Sequence, residues 1–157
     1  MGIKIDLNFD DVYKTLELDG ERDKSSFLFI AKINQLFNRL HTSNSASVYL
    51  FGAGAGGRAL ISSGLLNGLL SGILDNDERK WGSQFNGLTI FSPHVLNNNK
   101  NALILVLSDW HDDIKIQLKD IGVAEDNIIN VMPIYCSYQW LIETSPIEFY
   151  ISSCEGL

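Results

Sequence analysis

Apolar and polar positions follow two rhythms along this chain. Phe29, Ile30, Ile33, Leu36, Phe37 and Leu40 recur at three- and four-residue spacing, which predicts an amphipathic helix from Ser26 to about His41, with Ser25 as its N-cap. From residue 47 onward, short apolar or β-branched runs alternate with helical stretches. Residues 47–51, 69–74, 88–91, 102–107 and 127–131 read as five strands, each bounded by glycine, proline, asparagine or an acid. The run 102–107 is uninterrupted, as in a central parallel strand covered on both faces. Residues 55–66 and 109–121 read as helices closed by Asn67-Gly68 and Gly122, and Ser92-Pro93 opens a brief third one. Near the start, residues 3–9 alternate with period two, as in a short strand or extended arm. Asp10 then caps a short helix through Leu18, and Asp19-Gly20 leads into a charged turn up to Lys24.

Strands alternating with helices predict an α/β fold: a Rossmann-like three-layer sandwich whose parallel sheet has about five strands in the order 3-2-1-4-5, plus an N-terminal helical extension. The expected division is an extension and packing helix over 1–45, the Rossmann-like domain over 46–134, and over 135–157 an aromatic tail packing on that domain. The tail carries Tyr135, Tyr138, Trp140, Phe149 and Tyr150. With the helix 26–41 it offers more apolar surface than a minimal domain requires, so a homodimer is expected.

Between the first strand and the first sheet helix lies Gly52-Ala53-Gly54-Ala55-Gly56-Gly57. The spacing Gly52-x-Gly54-x-x-Gly57 matters because of where it sits, directly after a strand and opening a helix. There the first glycine permits a tight turn, the second lets main-chain amides approach a pyrophosphate, and the third allows close packing of helix on strand. The amides and the helix dipole then favour an anion. In such sites an acid at the end of the second strand bonds ribose hydroxyls; Asp75 stands there, 18 residues past Gly57, followed by Asn76. Asp77 and Glu78 would repel a 2′-phosphate, which favours NAD or a nucleotide-sugar over NADP, although Arg79 and Lys80 work against that inference. Arg58, on the first helical turn, either reaches a phosphate or points to solvent. The expected binding set is therefore Gly52, Ala53, Gly54, Ala55, Gly56, Gly57, Arg58, Asp75, Asn76 and Ser108. A methyltransferase would usually carry an acid two positions before the first glycine, where this chain has Leu50.

Composition narrows the partners. The 157 residues carry a formal net charge of −7 and no local Lys/Arg cluster, so nucleic acid is not expected. No run approaches the roughly 20 apolar residues of a membrane span, and the basic start of a signal peptide is missing, which leads to a cytoplasmic expectation. Cys136 and Cys154 form no CxxC, and His41, His94 and His111 lack ligand spacing; reduced, structural cysteines and no metal are expected.

Taken together, residues 48–54, 72–77, Gly82 and 87–93 resemble the Rossmann-like domain of bacterial saccharide-biosynthesis proteins. That module precedes the catalytic part of sialic-acid and bacillosamine-type sugar acyltransferases and of nucleotide-sugar dehydratases, and a similar one ends some sugar C-methyltransferases. The resemblance covers 47 to about 131 and implies a nucleotide or nucleotide-sugar held near Gly54, Asp75 and Ser108-Asp109, with catalysis supplied elsewhere, as by a partner catalytic domain. Neither the β-helix repeats of the acyltransferases nor a dehydratase domain follows in this sequence.

Chemistry, if present, is best placed at Ser108-Asp109-Trp110-His111, at the carboxyl end of the fourth expected strand. His111 could act as a base oriented by Asp109 or Asp112, or the same residues could simply cap a helix. No GxSxG, Walker lysine or TyrxxxLys pair supports other enzyme classes. Three readings stay open: an accessory nucleotide-binding domain, a small NAD-dependent oxidoreductase or nucleotide-sugar-modifying enzyme using His111, and an interaction module without ligand.

Overall fold

Wholly apolar strands must be covered on both faces, so they line up inside a layered sheet. In the computed structural model, which describes residues 21–42 and 47–136, β1 (Val48–Phe51), β2 (Gly72–Leu74), β3 (Gln84–Phe85), β4 (Leu88–Phe91), β5 (Leu103–Val106) and β6 (Ile128–Asn130) form one sheet in the order β3-β4-β2-β1-β5-β6. β1 lies parallel between β2 and β5, with Leu50 opposite both Ile73 and Leu105; β4 and β6 extend the parallel set outward. The sheet is mixed rather than wholly parallel, and has six strands where about five were expected. The addition is β3, which pairs antiparallel with β4 through the two-residue loop Asn86-Gly87. Both loop residues have positive φ, 48° and 78°, the geometry for which Asn-Gly is favoured in hairpins.

Several boundaries differ from the sequence expectation. Helix α1 runs Glu21–Thr42, taking in the residues expected as a charged turn. Glu, Arg and Lys are good helix formers, and acids suit a helix start. Helix α2 (Ala55–Ser62) stops four residues early because Gly64, at φ 80°, takes the left-handed position just past the C-cap Ser63. β2 consequently starts at Gly72, not Leu69. Helix α3 (His111–Ile121) starts after Asp109 and ends, as expected, at Gly122, whose φ is 102°. Pro93–Asn98 form a 3-10 helix with Ser92 Oγ accepting from the His94 amide.

The chain divides into two units, His41–Tyr135 and Met1–Leu40 with Cys136–Leu157. The expected arm at 3–9, the helix at 10–18 and most of the aromatic tail lie outside the described residues. Within His41–Tyr135, the step from β1 to β2 and the step from β5 to β6 run in opposite directions, so right-handed crossovers put α2 and α3 on opposite faces. Packing agrees: Tyr49 and Phe51 share a cluster with Ile114 and Leu118 of α3, whereas Gly57 of α2 faces Leu50. Leu50, Leu74, Leu103, Ile104, Leu105 and Val106 are fully buried, so the centre of the sheet is the core. No helix among the described residues is long and apolar enough to cross a membrane. Cys136 is free and exposed, which removes the structural role expected of it.

Candidate functional site

The carboxyl ends of β1, β2 and β5 come together where the strand order reverses, the edge at which open α/β sheets leave a crevice. β1 ends in the glycine turn. Gly52 has φ 125°, and a Cβ there would lie 2.4 Å from the Leu107 carbonyl oxygen, so only glycine fits. Gly57 is equally constrained: its Cβ would sit 1.8 Å from the Gly52 oxygen, which is how closely α2 packs on the turn. Gly54 is the opposite case, with nothing within 4 Å of a Cβ. It is the N-cap of α2 at φ −79°, and no side chain caps the helix, so the first-turn amides of Ala55, Gly56 and Gly57 keep the donors that a helix start leaves over. Gly56 lies beneath the Tyr135 ring, which would stand 3.5 Å from a Cβ at that position.

Asp75, at the end of β2, is 13% exposed and already engaged. Its Oδ2 accepts from the Ala53 amide at 2.9 Å and from Lys80 Nζ at 3.0 Å, and its Oδ1 accepts from the Asp77 amide at 2.8 Å. Burial pushes this carboxyl up, but the amides of Asp77 and Ala53 and the Lys80 ammonium outweigh it and hold the group below its ordinary 3.8. Asp75 therefore ties the glycine turn to the loop after β2. Trp81 reinforces that loop, its Nε1 donating to the Asp75 carbonyl at 2.7 Å. Asp77 has its own cation: Arg79 donates to both carboxylate oxygens at 2.9 Å and holds the group at about 2. With Arg79 on Asp77, one of the two acids expected to repel a 2′-phosphate is neutralised. Arg58 is exposed but does not stand free. Its Nε donates to the Ala53 carbonyl at 3.2 Å, and its guanidinium lies 4.9 Å above the Phe85 ring of β3.

Beside this turn opens a cleft of about 350 Å³ lined by Phe51, Gly52, Asp75, Asn76, Ser108, Trp110, Asp113, Ile114 and Gln117. Of the expected residues it unites Gly52, Asp75, Asn76 and Ser108. Ala53, Gly54, Ala55, Gly56, Gly57 and Arg58 lie on the adjoining turn but do not line it. Ser108 Oγ accepts from the Trp110 amide at 3.1 Å, shaping the entry to α3. Trp110, 71% exposed, is the N-cap residue, so Asp109 does not cap the helix. His111 points elsewhere: its Nδ1 is 3.5 Å from Asp112, its Nε2 is buried without a hydrogen-bond partner, and neither it nor Asp109 lines the cleft. Trp110 falls within the segment 108–111 expected at this edge, but no sequence motif singles out Asp113, Ile114 and Gln117. Their three- and four-residue spacing along α3 is the signal that they share one side of the helix.

A parallel α/β core with a glycine turn and a cleft at the point of strand reversal defines a Rossmann-like domain. The chain belongs to a family described as C2185-like, N-terminal, whose profile matches residues 44–129, more than half of the sequence. No curated protein matches the chain. Among solved structures it is similar to RSP, a Rex-family repressor, at 14% identity and TM-score 0.45 over 87% of this chain and 82% of that one. It is also similar to RSP in complex with β-NAD+ and operator DNA, at 14% identity and TM-score 0.42 over 96% and 85%.

Proposed function

We propose that the unit His41–Tyr135 binds a nucleotide, its phosphates against the amides of Ala55, Gly56 and Gly57 and its nucleoside in the adjoining cleft. The observation that carries this reading is the contrast among the glycines: Gly52 and Gly57 are forced by packing, whereas Gly54 stands open at an uncapped helix start beside the cleft. Fold stability does not require a glycine at that position, so its role is to leave room. Asp75 contributes by fixing the turn through the Ala53 amide, with carboxylate lone pairs remaining for a ribose hydroxyl. An oxidoreductase working through His111 is disfavoured, since that ring does not line the cleft.

Gly54→Asp tests the proposal. A Cβ there meets no atom within 4 Å, an aspartate N-cap suits a helix start, and its charge would occupy the phosphate position. Thermal unfolding with ADP or NAD+ is expected to rise in the natural protein, by about 2.7 kcal/mol of stabilisation at 100 times Kd. The variant is expected to unfold at or slightly above the natural temperature without ligand and to show no ligand response. An equal response in both would refute the phosphate position.

A further inference from the structure

The cleft contains an arrangement the turn does not explain. Asn76 Nδ2 donates to Gln117 Oε1 at 3.0 Å while Gln117 Nε2 donates to Asn76 Oδ1 at 2.9 Å, joining the loop after β2 to the middle of α3 across 41 residues of sequence. Two amides near solvent gain little from each other, because water would satisfy both. Next to them stand the exposed Trp110 indole and the Asp113 carboxylate, with the buried Ile114 at the base. An indole surrounded by water at a cleft rim loses apolar burial that any stacking partner would restore.

We infer that the Asn76–Gln117 pair holds the place of a nucleobase edge, and that the cleft selects a base bearing an exocyclic amino group, adenine over uracil, stacked on Trp110. The inference rests on the nucleotide reading above and names the base. A carboxamide presents a donor beside an acceptor, and adenine presents the complementary pair, which is why Asn and Gln bind it bidentately; the N3–H and O4 of uracil offer such a pair too, so the choice between the bases falls to Asp113 and Trp110. Each amide can therefore exchange its present partner for the base with no loss of hydrogen bonds. Asp113 discriminates further: its carboxylate accepts from an amino group and repels the O4 carbonyl of uracil. A purine also covers more of the indole than a pyrimidine does. The base, and not the phosphates, would thus separate adenine nucleotides from uridine-diphosphate sugars.

Calorimetry on the full chain with AMP, UMP and inorganic pyrophosphate, each at matched concentration, tests this. AMP is expected to bind at least about tenfold more tightly than UMP, the scale of one stacked base with a bidentate contact. Trp110→Ala is expected to weaken AMP about tenfold and leave pyrophosphate unchanged, while Trp110→Phe, which keeps a stacking face, retains most of the affinity. Asn76→Ala with Gln117→Ala is expected to weaken AMP and leave pyrophosphate unchanged. Equal affinity for AMP and UMP alongside pyrophosphate binding overturns the base assignment and leaves the phosphate cradle standing. Absence of binding by all three overturns the nucleotide reading itself.

Discussion

At the scale of single residues, three glycines of one motif do three different things, and substitution separates them. Gly57→Ala drives a methyl group into the Gly52 carbonyl oxygen, a backbone atom that cannot rotate away, so a loss of about 3 kcal/mol in urea unfolding is expected. Gly54→Ala meets no atom and is expected to leave the urea midpoint nearly unchanged. Asp75→Asn turns one acceptor into a donor facing either the Asp77 amide or both the Ala53 amide and Lys80, which is expected to cost about 1 to 3 kcal/mol. The native carboxyl sits below its ordinary 3.8, so the unfolded chain takes up the proton first as pH falls. Its contribution is whole above about pH 4 and is lost as pH drops through the lower folded value. Asp75→Asn should therefore flatten the fall in stability below pH 4; an unchanged acid limb in denaturation curves would count against this role. The glycine pattern was legible because each glycine reports a steric constraint that sequence carries directly. The Ala53 amide as a partner of Asp75 was not, because it meets the carboxylate only once β1 and β2 are side by side.

At the scale of elements, punctuation residues explain most of the differences from expectation. Gly64 stops α2, and Asn86-Gly87 makes the β3-β4 hairpin; both are local signals present in the sequence but overshadowed by longer apolar runs. Gly122 ends α3 at φ 102° with the Lys100 side chain packed on it, 3.2 Å from a Cβ position. Gly122→Ala is expected to lower stability by about 1 to 2 kcal/mol, read as a lower thermal midpoint. Beyond that glycine, Glu125 receives Lys115 at 2.6 Å and Lys119 at 3.1 Å, which tie the last turns of α3 to the segment leading into β6. These ammonium groups hold Glu125 at about 2, well below its usual 4.5. Carboxyl carbon shifts followed by NMR should show that low midpoint at low salt and its return toward 4.5 at about 1 M salt, where exposed pairs are screened.

At the scale of the whole molecule, the family match over 44–129 falls within the unit His41–Tyr135. Among the described residues, every buried apolar side chain except Leu36 also belongs to that unit. A polypeptide of residues 41–135 is thus expected to unfold cooperatively by itself and to respond to ADP as the full chain does. A non-cooperative melt would show that the flanking residues are needed to complete the core.

The amino-acid sequence alone determined the α/β class, the five parallel strands, the glycine turn and the placement of an acid beside it. Hydrophobic periodicity and glycine sterics act within a few residues, so they survive in one dimension. Tertiary structure decided which side chains share the cleft: it brought Asn76 to Gln117, joined Asp75 to the Ala53 amide, laid Arg58 on Phe85 and turned His111 away. Those pairings depend on crossover direction and strand register, which only the assembled sheet supplies.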